Sequence, residues 1–318
     1  MPRAPQPKDL RLLSKVSRLY HEQQLTEQQI ADRLHLSRSR VSRLLKQARA
    51  EGIVRVAVYS PPGVYPDLEN RLEAAFELQE AVVVDVSEPG VQEIVSREIG
   101  TAAARYLQQT LSNGDVIGVC WGNTLRAMVA ALQPLETRDV HVVQIIGGLG
   151  SPTAEAHATD LCRRMAAALG CRLTLLPAPG ILASRQARDA VLTDGNIEAA
   201  LKLIPELTVA FVGIGVPAPG SLVMRDGSII NRDELVALLT QGAVGDIALR
   251  FFDALGRPVR SELDERVIGI SLEELKRVPR VVGVAGGPEK DAAICGAMRG
   301  GYIDVLVTDQ GTATRLLR

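Results

Sequence analysis

Residues 26–52, TEQQIADRLHLSRSRVSRLLKQARAEG, read as two short helices joined by a sharp turn. Thr26 and Gln29 have the spacing of a capping box, which starts a helix there. Ile30, Ala31 and Leu34 recur at helical spacing and give that helix one apolar face. His35 and Leu36 make the turn, and Ser37 is a good N-cap for the next helix. In the second helix Val41, Leu44, Leu45 and Ala48 form the inward stripe. Arg38, Ser39, Arg40, Ser42 and Arg43 are left on the outer face, and Gly52 closes the helix. Residues 9–23, with Leu10, Leu13, Val16, Leu19 and Tyr20, predict an earlier helix that completes a three-helix core. Residues 53–60, IVRVAVYS, alternate like a strand and predict a wing.

This is the form of a helix-turn-helix that reads double-stranded DNA, in which the N-terminal part of the second helix meets the bases. Arginine bonds guanine edges bidentately, and short polar side chains reach bases or phosphates. The candidate DNA-contacting set is Thr26, Gln28, Ser37, Arg38, Ser39, Arg40, Ser42 and Arg43. Charge points the same way. Residues 1–60 hold 12 Lys and Arg against 5 Asp and Glu, a surplus of seven. The remaining residues carry an acidic excess of eight, so the whole-chain value of -1 hides a basic module on an acidic body. Aromatic residues make up only 3%, which argues against stacking on single strands as the main mode.

Residues 60–66, SPPGVYP, hold three prolines and a glycine and cannot be helix interior. They mark a boundary between an N-terminal domain, 1–60, and a second domain, 61–318. An amphipathic helix is predicted over 67–78, with Leu68, Leu72, Ala75 and Phe76 on one face. It suits packing on the second domain or on another subunit. Seven apolar runs of strand length follow: 81–86, 115–121, 141–148, 172–179, 207–215, 280–287 and 302–309. Most lead through Gly or Pro into helical patterns such as 91–111, 124–132 and 155–169. Runs buried on both faces and separated by helices predict a mainly parallel sheet between helical layers, a Rossmann-like α/β domain. Ligands bind such sheets outside the carboxyl ends of the strands.

The loops at those ends supply the candidate ligand residues. Gly122-Asn123-Thr124, opening a helix at Leu125, can form an anion nest of free amides or merely a capped turn. Gly147 and Gly148 either let backbone approach a ligand or only turn the chain. Gly286-Gly287-Pro288-Glu289-Lys290 sets a glycine pair and a lysine at a strand-to-helix junction. A lysine there pairs with phosphate or carboxylate, whereas an exposed lysine would oppose the helix dipole. Asp246 can bond sugar hydroxyls or cap a helix. Residues 213–218, GIGVPA, imitate a dinucleotide fingerprint, but Pro217 and Pro219 stand where its helix would start. No ATP-type phosphate loop is present, and no catalytic or metal site can be proposed from spacing. The four cysteines lack a CxxC pair and suit a reducing compartment. The expectation is a cytoplasmic protein with no membrane span and no cofactor.

The chain resembles the SorC-type family of sugar-binding bacterial transcriptional regulators over nearly its whole length. The resembling segments are residues 25–56, LPAPGILAS (176–184), FVGIGVP (211–217), GAVGDIALRFFDALGRPV (242–259) and the long run 267–317. The resemblance implies a phosphosugar-isomerase-like effector domain, a phosphorylated sugar as effector and a tetramer on operator DNA. It places the phosphate on the amides of Asn123, Thr124 and Leu125 and on Lys290, and sugar hydroxyls on Asp246. Gly147, Gly148, Gly286 and Gln310 fall around the cavity. Two other readings stay open: a phosphosugar isomerase or deaminase with a DNA-binding appendage, and a DNA-binding module with a purely structural oligomerisation domain.

Overall fold

The computed structural model describes residues 7–56, 61, 63–148, 152–219 and 230–318. The chain forms two compact units, Met1–Ser60 and Pro61–Arg318.

The first unit holds three helices: α1 (Pro7–His21), α2 (Glu27–Leu34) and α3 (Arg38–Ala50). The Thr26–Gln29 capping box forms in both directions, and Ser37 Oγ accepts from Arg40 N. His35, in the left-handed conformation with φ 53°, turns the chain between α2 and α3. Leu13, Val16, Leu19, Ile30, Ala31, Val41, Leu45 and Ala48 are buried at the crossing of the three helices. Each large apolar side chain buried this way contributes roughly 1.5–3 kcal/mol. Leu10, expected in this core, is 41% exposed. The wing is not formed over residues 53–56. The amides of Ile53 and Val54 both donate to Ala48 O, at 2.9 and 3.1 Å, so they close α3 instead of entering a ladder. Residues 57–60 lie outside the described residues.

The second unit is built on seven parallel strands. These are β1 (Glu80–Val84), β2 (Val116–Val119), β3 (His141–Gln144), β4 (Arg172–Thr174), β5 (Val209–Gly213), β8 (Val281–Val284) and β9 (Val305–Asp309). Their order is β1-β9-β8-β5-β2-β3-β4, and every predicted apolar run supplies one of them. β5, β8 and β9 are buried almost throughout, as strands covered on both faces must be. Helices α5 (Gln92–Thr110), α6 (Asn123–Ala131) and α7 (Pro152–Leu169) pack side by side; α8 (Arg185–Val191), α9 (Gly195–Leu201), α10 (Arg232–Thr240) and α11 (Leu272–Leu275) lie between β4 and β8 in the chain; and α4 (Pro66–Phe76), α12 (Asp291–Arg299) and α13 (Gln310–Leu316) form a second group.

The predicted amphipathic helix is α4, which starts on Pro66 and buries Leu72 in this unit's core. It also guards an edge. Glu73 Oε1 accepts from Ala81 N and Glu69 Oε1 from Val83 N, both at 2.9 Å, so outward amides of the edge strand β1 are occupied.

One element departs from the α/β rhythm. β6 (Ala243–Ile247) and β7 (Arg250–Asp253) pair antiparallel as a separate hairpin. Ala248 and Leu249 form its turn, both at positive φ (53° and 60°), the geometry of a tight hairpin. The hairpin carries Asp246 back to the sheet, where it bridges Gly215 just beyond β5.

Candidate functional site

The strand order reverses at β2. β3 and β4 lie on one side of it and β5, β8, β9 and β1 on the other. Loops leaving neighbouring parallel strands diverge at such a reversal and open a crevice at their carboxyl ends. A cavity of about 530 Å³ lies there. Its walls come from the loop after β2 (Cys120 to Leu125), the loop after β5 (Gly213 to Val216 and Ala218), Ile146 after β3, and Glu289 and Lys290 after β8. Gln92 and Ser96 of α5 and Asp246 and Ala248 of the hairpin complete it.

The cavity's donors sit at the start of α6. The helix begins at Asn123, two residues before the predicted Leu125, with Gly122 as its N-cap. Gly122 has φ 147°, a conformation that L side chains rarely adopt, and it supplies no capping side chain. The first intrahelical bond is Arg126 N to Gly122 O, so the amides of Asn123, Thr124 and Leu125 precede the ladder. All three residues line the cavity, at the positive end of the helix dipole. Lys290 reaches the same space, and its Nζ donates to Ile214 O at 2.8 Å. Burial pulls the Lys290 ammonium below the usual lysine range, while the Asp246 charge opposes that shift.

The acceptor is Asp246, only 6% exposed. Its Oδ2 accepts from Leu249 N at 3.3 Å, and its Oδ1 is buried without a partner. Burial pushes this carboxyl up to about 6, against the Leu249 N–H and the Lys290 charge, which lower it. Buried acceptors left unpaired are costly, and a carboxylate with one such oxygen on a cavity wall is suited to a ligand's hydroxyl donor. Trp121, Ile146, Ile214 and Val216 supply apolar surface beside it. Trp121 is fixed by Nε1 donating to Gly147 O at 3.0 Å. Burial also raises the Cys120 thiol, which keeps it neutral. The arrangement offers amide donors and an ammonium for an anionic group and a carboxylate for hydroxyls, the complement of a small polyhydroxylated anion.

Of the ligand residues expected from sequence, Gly122, Asn123, Thr124, Leu125, Asp246 and Lys290 line this cavity. Gly147, Gly148, Gly286, Gly287 and Gln310 do not. Gly147 is pressed against the backbone of Ala178 and Pro179, and Gly148 N donates to Ala178 O at 2.9 Å. Their lack of side chains serves packing between loops. Gly286 and Gly287 lie behind the wall: Gly286 O accepts from Gln92 Nε2 at 3.1 Å, and Gly287 N donates to Asp309 Oδ2 at 2.9 Å. Gln310 is exposed at the start of α13.

Sequence reasoning did not single out Gln92, Ser96, Trp121, Ile146 or the 213–218 loop as cavity wall. In sequence the last reads only as an imitation of a dinucleotide fingerprint. Residues 214–219 form no helix, yet the loop faces the cavity because it leaves the carboxyl end of β5. That position was the available signal. Gln92 and Ser96 carried none, since α5 reaches the site only through packing.

On the first unit, Ser37, Arg38, Ser39, Arg40 and Arg43 are exposed at the start of α3, and Ser42 is partly buried. Arg38 Nε lies 3.5 Å from Glu27 Oε2, and Arg43 Nε donates to Ser39 O at 3.3 Å. Thr26 and Gln28 are exposed at the start of α2, where Gln28 Nε2 donates to Asp32 Oδ1 at 2.9 Å. The Arg38–Glu27 pair is the contact that links the two helix starts carrying the expected set. Among the described residues no cluster of three or more His, Cys, Asp or Glu side chains could hold a metal ion. No described helix is long and apolar enough to cross a membrane.

Comparison with known proteins matches residues 63–318 to the family described as "Putative sugar-binding domain" and residues 14–51 to "Sigma-70, region 4". The deoxyribonucleoside regulator of Bacillus subtilis (strain 168) is 34% identical over 301 residues, 95% of each chain. The sorbitol operon regulator of Klebsiella pneumoniae is 34% identical over 316 residues, 98% of each chain. The crystal structure of full-length SorC from Klebsiella pneumoniae has a TM-score of 0.74 and 33% identity, and the match covers 98% of this chain and 100% of that one.

Proposed function

The chain belongs to the SorC-type family of sugar-binding transcriptional regulators, and from that membership we propose that it is a repressor released from operator DNA by a phosphorylated sugar. The observation that carries the proposal is the meeting, in one cavity, of the α6 start, Lys290 and Asp246, whose Oδ1 has no partner among the described residues. A phosphate takes the amides of Asn123, Thr124 and Leu125 together with Lys290. Sugar hydroxyls donate to Asp246. Gly122 frees the helix end, and Gly147, Gly148, Gly286 and Gly287 support the wall from outside it, while Gln310 stays exposed beyond it.

The residues at the start of α2 and α3 hold the DNA, with Arg38 and Arg40 reaching bases and Thr26, Gln28, Ser37, Ser39, Ser42 and Arg43 fixing register on the backbone. A tetramer carries paired helix-turn-helix units in the cytoplasm. The sugar phosphate acts only through its differential affinity for two quaternary arrangements, a coupling of ~1–3 kcal/mol in typical cases. The curated relatives are regulators, which removes the ground for an enzyme with a DNA-binding appendage.

A thermal-shift screen tests the effector class. A ligand that binds only the folded chain stabilises it by about 2.7 kcal/mol at a hundredfold excess over its Kd. At least one sugar phosphate should raise Tm in the wild type and not in Lys290→Ala, while its unphosphorylated sugar should do neither. A free sugar acting as strongly as its phosphate would remove the phosphate from the proposal.

A further inference from the structure

Behind the cavity wall, the C-terminal helix ends a hydrogen-bond network, buried at Asp309 and Thr312 and half-buried at Arg315 and Asp291, that the effector reading leaves unused. Asp309, 2% exposed, closes β9 and caps α13 through its Oδ1, which accepts from Thr312 N at 2.8 Å. Its Oδ2 accepts from Thr312 Oγ1 at 2.6 Å and from Gly287 N at 2.9 Å. Thr312, wholly buried, also accepts from Gly287 N at 2.9 Å and from Arg315 Nη2 at 2.9 Å. Arg315 then grips Asp291 with two bonds, Nε to Oδ2 at 2.6 Å and Nη2 to Oδ1 at 3.0 Å. Thr312 Oγ1 thus donates once and accepts twice, which fills its capacity.

The geometry of these bonds brackets Lys290. Gly287, held by Asp309 and Thr312, lies three residues before it, and Asp291, held by Arg315, follows it. Gly287 has φ 99° and its amide points inward, so this backbone conformation is set by the two oxygens it meets. A flexible four-carbon side chain delivers an ammonium to a fixed place only if its backbone is fixed. We propose that Asp309, Thr312 and Arg315 are positioning residues for effector recognition, which hold the Gly287–Asp291 turn so that Lys290 and Glu289 face the cavity. This rests on the effector reading above and adds the C-terminal helix to the site.

Trp121, the chain's single tryptophan, lines the cavity and reports occupancy. Its fluorescence should be titrated with ribose 5-phosphate, glucose 6-phosphate and inorganic phosphate, in wild type, Thr312→Val and Thr312→Ser. The proposal expects Thr312→Val to weaken the responding probe about tenfold, the scale of one lost hydrogen bond. Thr312→Ser, which keeps the hydroxyl, should stay within about twofold of wild type on the same reasoning. A purely structural hydroxyl would lower Tm without moving an affinity measured well below it. Should Thr312→Val not fold, Arg315→Gln at its partly exposed position carries the test, with an expected loss of about threefold, the lower end of what one hydrogen bond is worth. A wild-type response matched by Thr312→Val, or by Arg315→Gln in its place, would overturn the positioning role alone. A wild-type Trp121 signal that no probe moves would overturn the effector reading and this inference with it.

Discussion

The unpaired Oδ1 of Asp246 stands over the α-carbon of Gly215, in the space that a side chain at that position would fill. The two residues also exchange backbone hydrogen bonds, Gly215 N to Asp246 O at 2.9 Å and Asp246 N to Gly215 O at 3.2 Å. Glycine at 215 is therefore a requirement of the carboxylate's position. Gly215→Ala should push Asp246 aside and weaken a sugar phosphate by about tenfold or more, the worth of a lost hydrogen bond to a charged group. Gly195→Ala is the matched control, because Gly195 lies outside the cavity and an added β-carbon there meets nothing within 4 Å. Calorimetric titration of both variants checks the contrast.

Asp246 should also make the free chain less stable than it could be at neutral pH. Its carboxyl is raised by burial from 3.8 to about 6. The folded state therefore holds the proton more tightly, and the stability this gives is complete below about pH 4. It is lost as pH rises towards 6, leaving a penalty of ~3 kcal/mol above that. Asp246→Asn removes the titration and keeps an oxygen for the Leu249 amide. It should raise the Tm of the unliganded protein at pH 7.5, with the gain vanishing near pH 4, and it should weaken effector binding. Melting curves across that pH range decide it.

The two glutamates of α4 should matter for solubility. Glu69 and Glu73 occupy the amides of Val83 and Ala81 on the edge strand. Glu69→Ala with Glu73→Ala should cost about 1–3 kcal/mol through unpaired strand amides and leave an edge open to pairing. Denaturant melts give the first effect and concentration-dependent light scattering the second.

On the DNA-binding unit, Arg40 and Arg38 start from different situations. Arg38 is engaged with Glu27, a half-exposed pair worth little to stability, while Arg40 is exposed on the same helix. Arg40→Ala should cost about 1–3 kcal/mol of operator affinity and relax sequence preference. Ser37→Ala should instead lower the stability of α3 by ~1 kcal/mol through its lost cap. Operator binding against a scrambled duplex, alongside thermal melts, separates the two effects.

Much of this architecture is written locally. Thr26, Gln29 and Ser37 act through neighbours three residues away, so their caps are legible in sequence. The central strands β5, β8 and β9 announce themselves because burial on both faces demands unbroken apolar runs. The hairpin carrying Asp246 was less legible, since its turn puts Ala248 and Leu249 at positive φ where Asn or Gly is the usual sign. The cavity was legible where it follows a strand end, as at Gly122 to Leu125 and Lys290. It was not legible at Gln92 and Ser96, which arrive on a helix formed much earlier in the chain. Gly147 shows the remaining ambiguity. A missing side chain serves a ligand or a neighbouring backbone equally well, and here Pro179 fills the space.

The central claim is that one cavity takes a sugar phosphate and thereby changes DNA affinity. The direct measurement is fluorescence anisotropy of a labelled duplex from the chain's own promoter, bound by wild type or Lys290→Ala and titrated with sugar phosphates. The account predicts that one compound releases the wild-type complex at micromolar levels while Lys290→Ala holds the duplex and ignores that compound. A wild-type complex indifferent to the whole panel, or a Lys290→Ala complex released as readily as wild type, would contradict it.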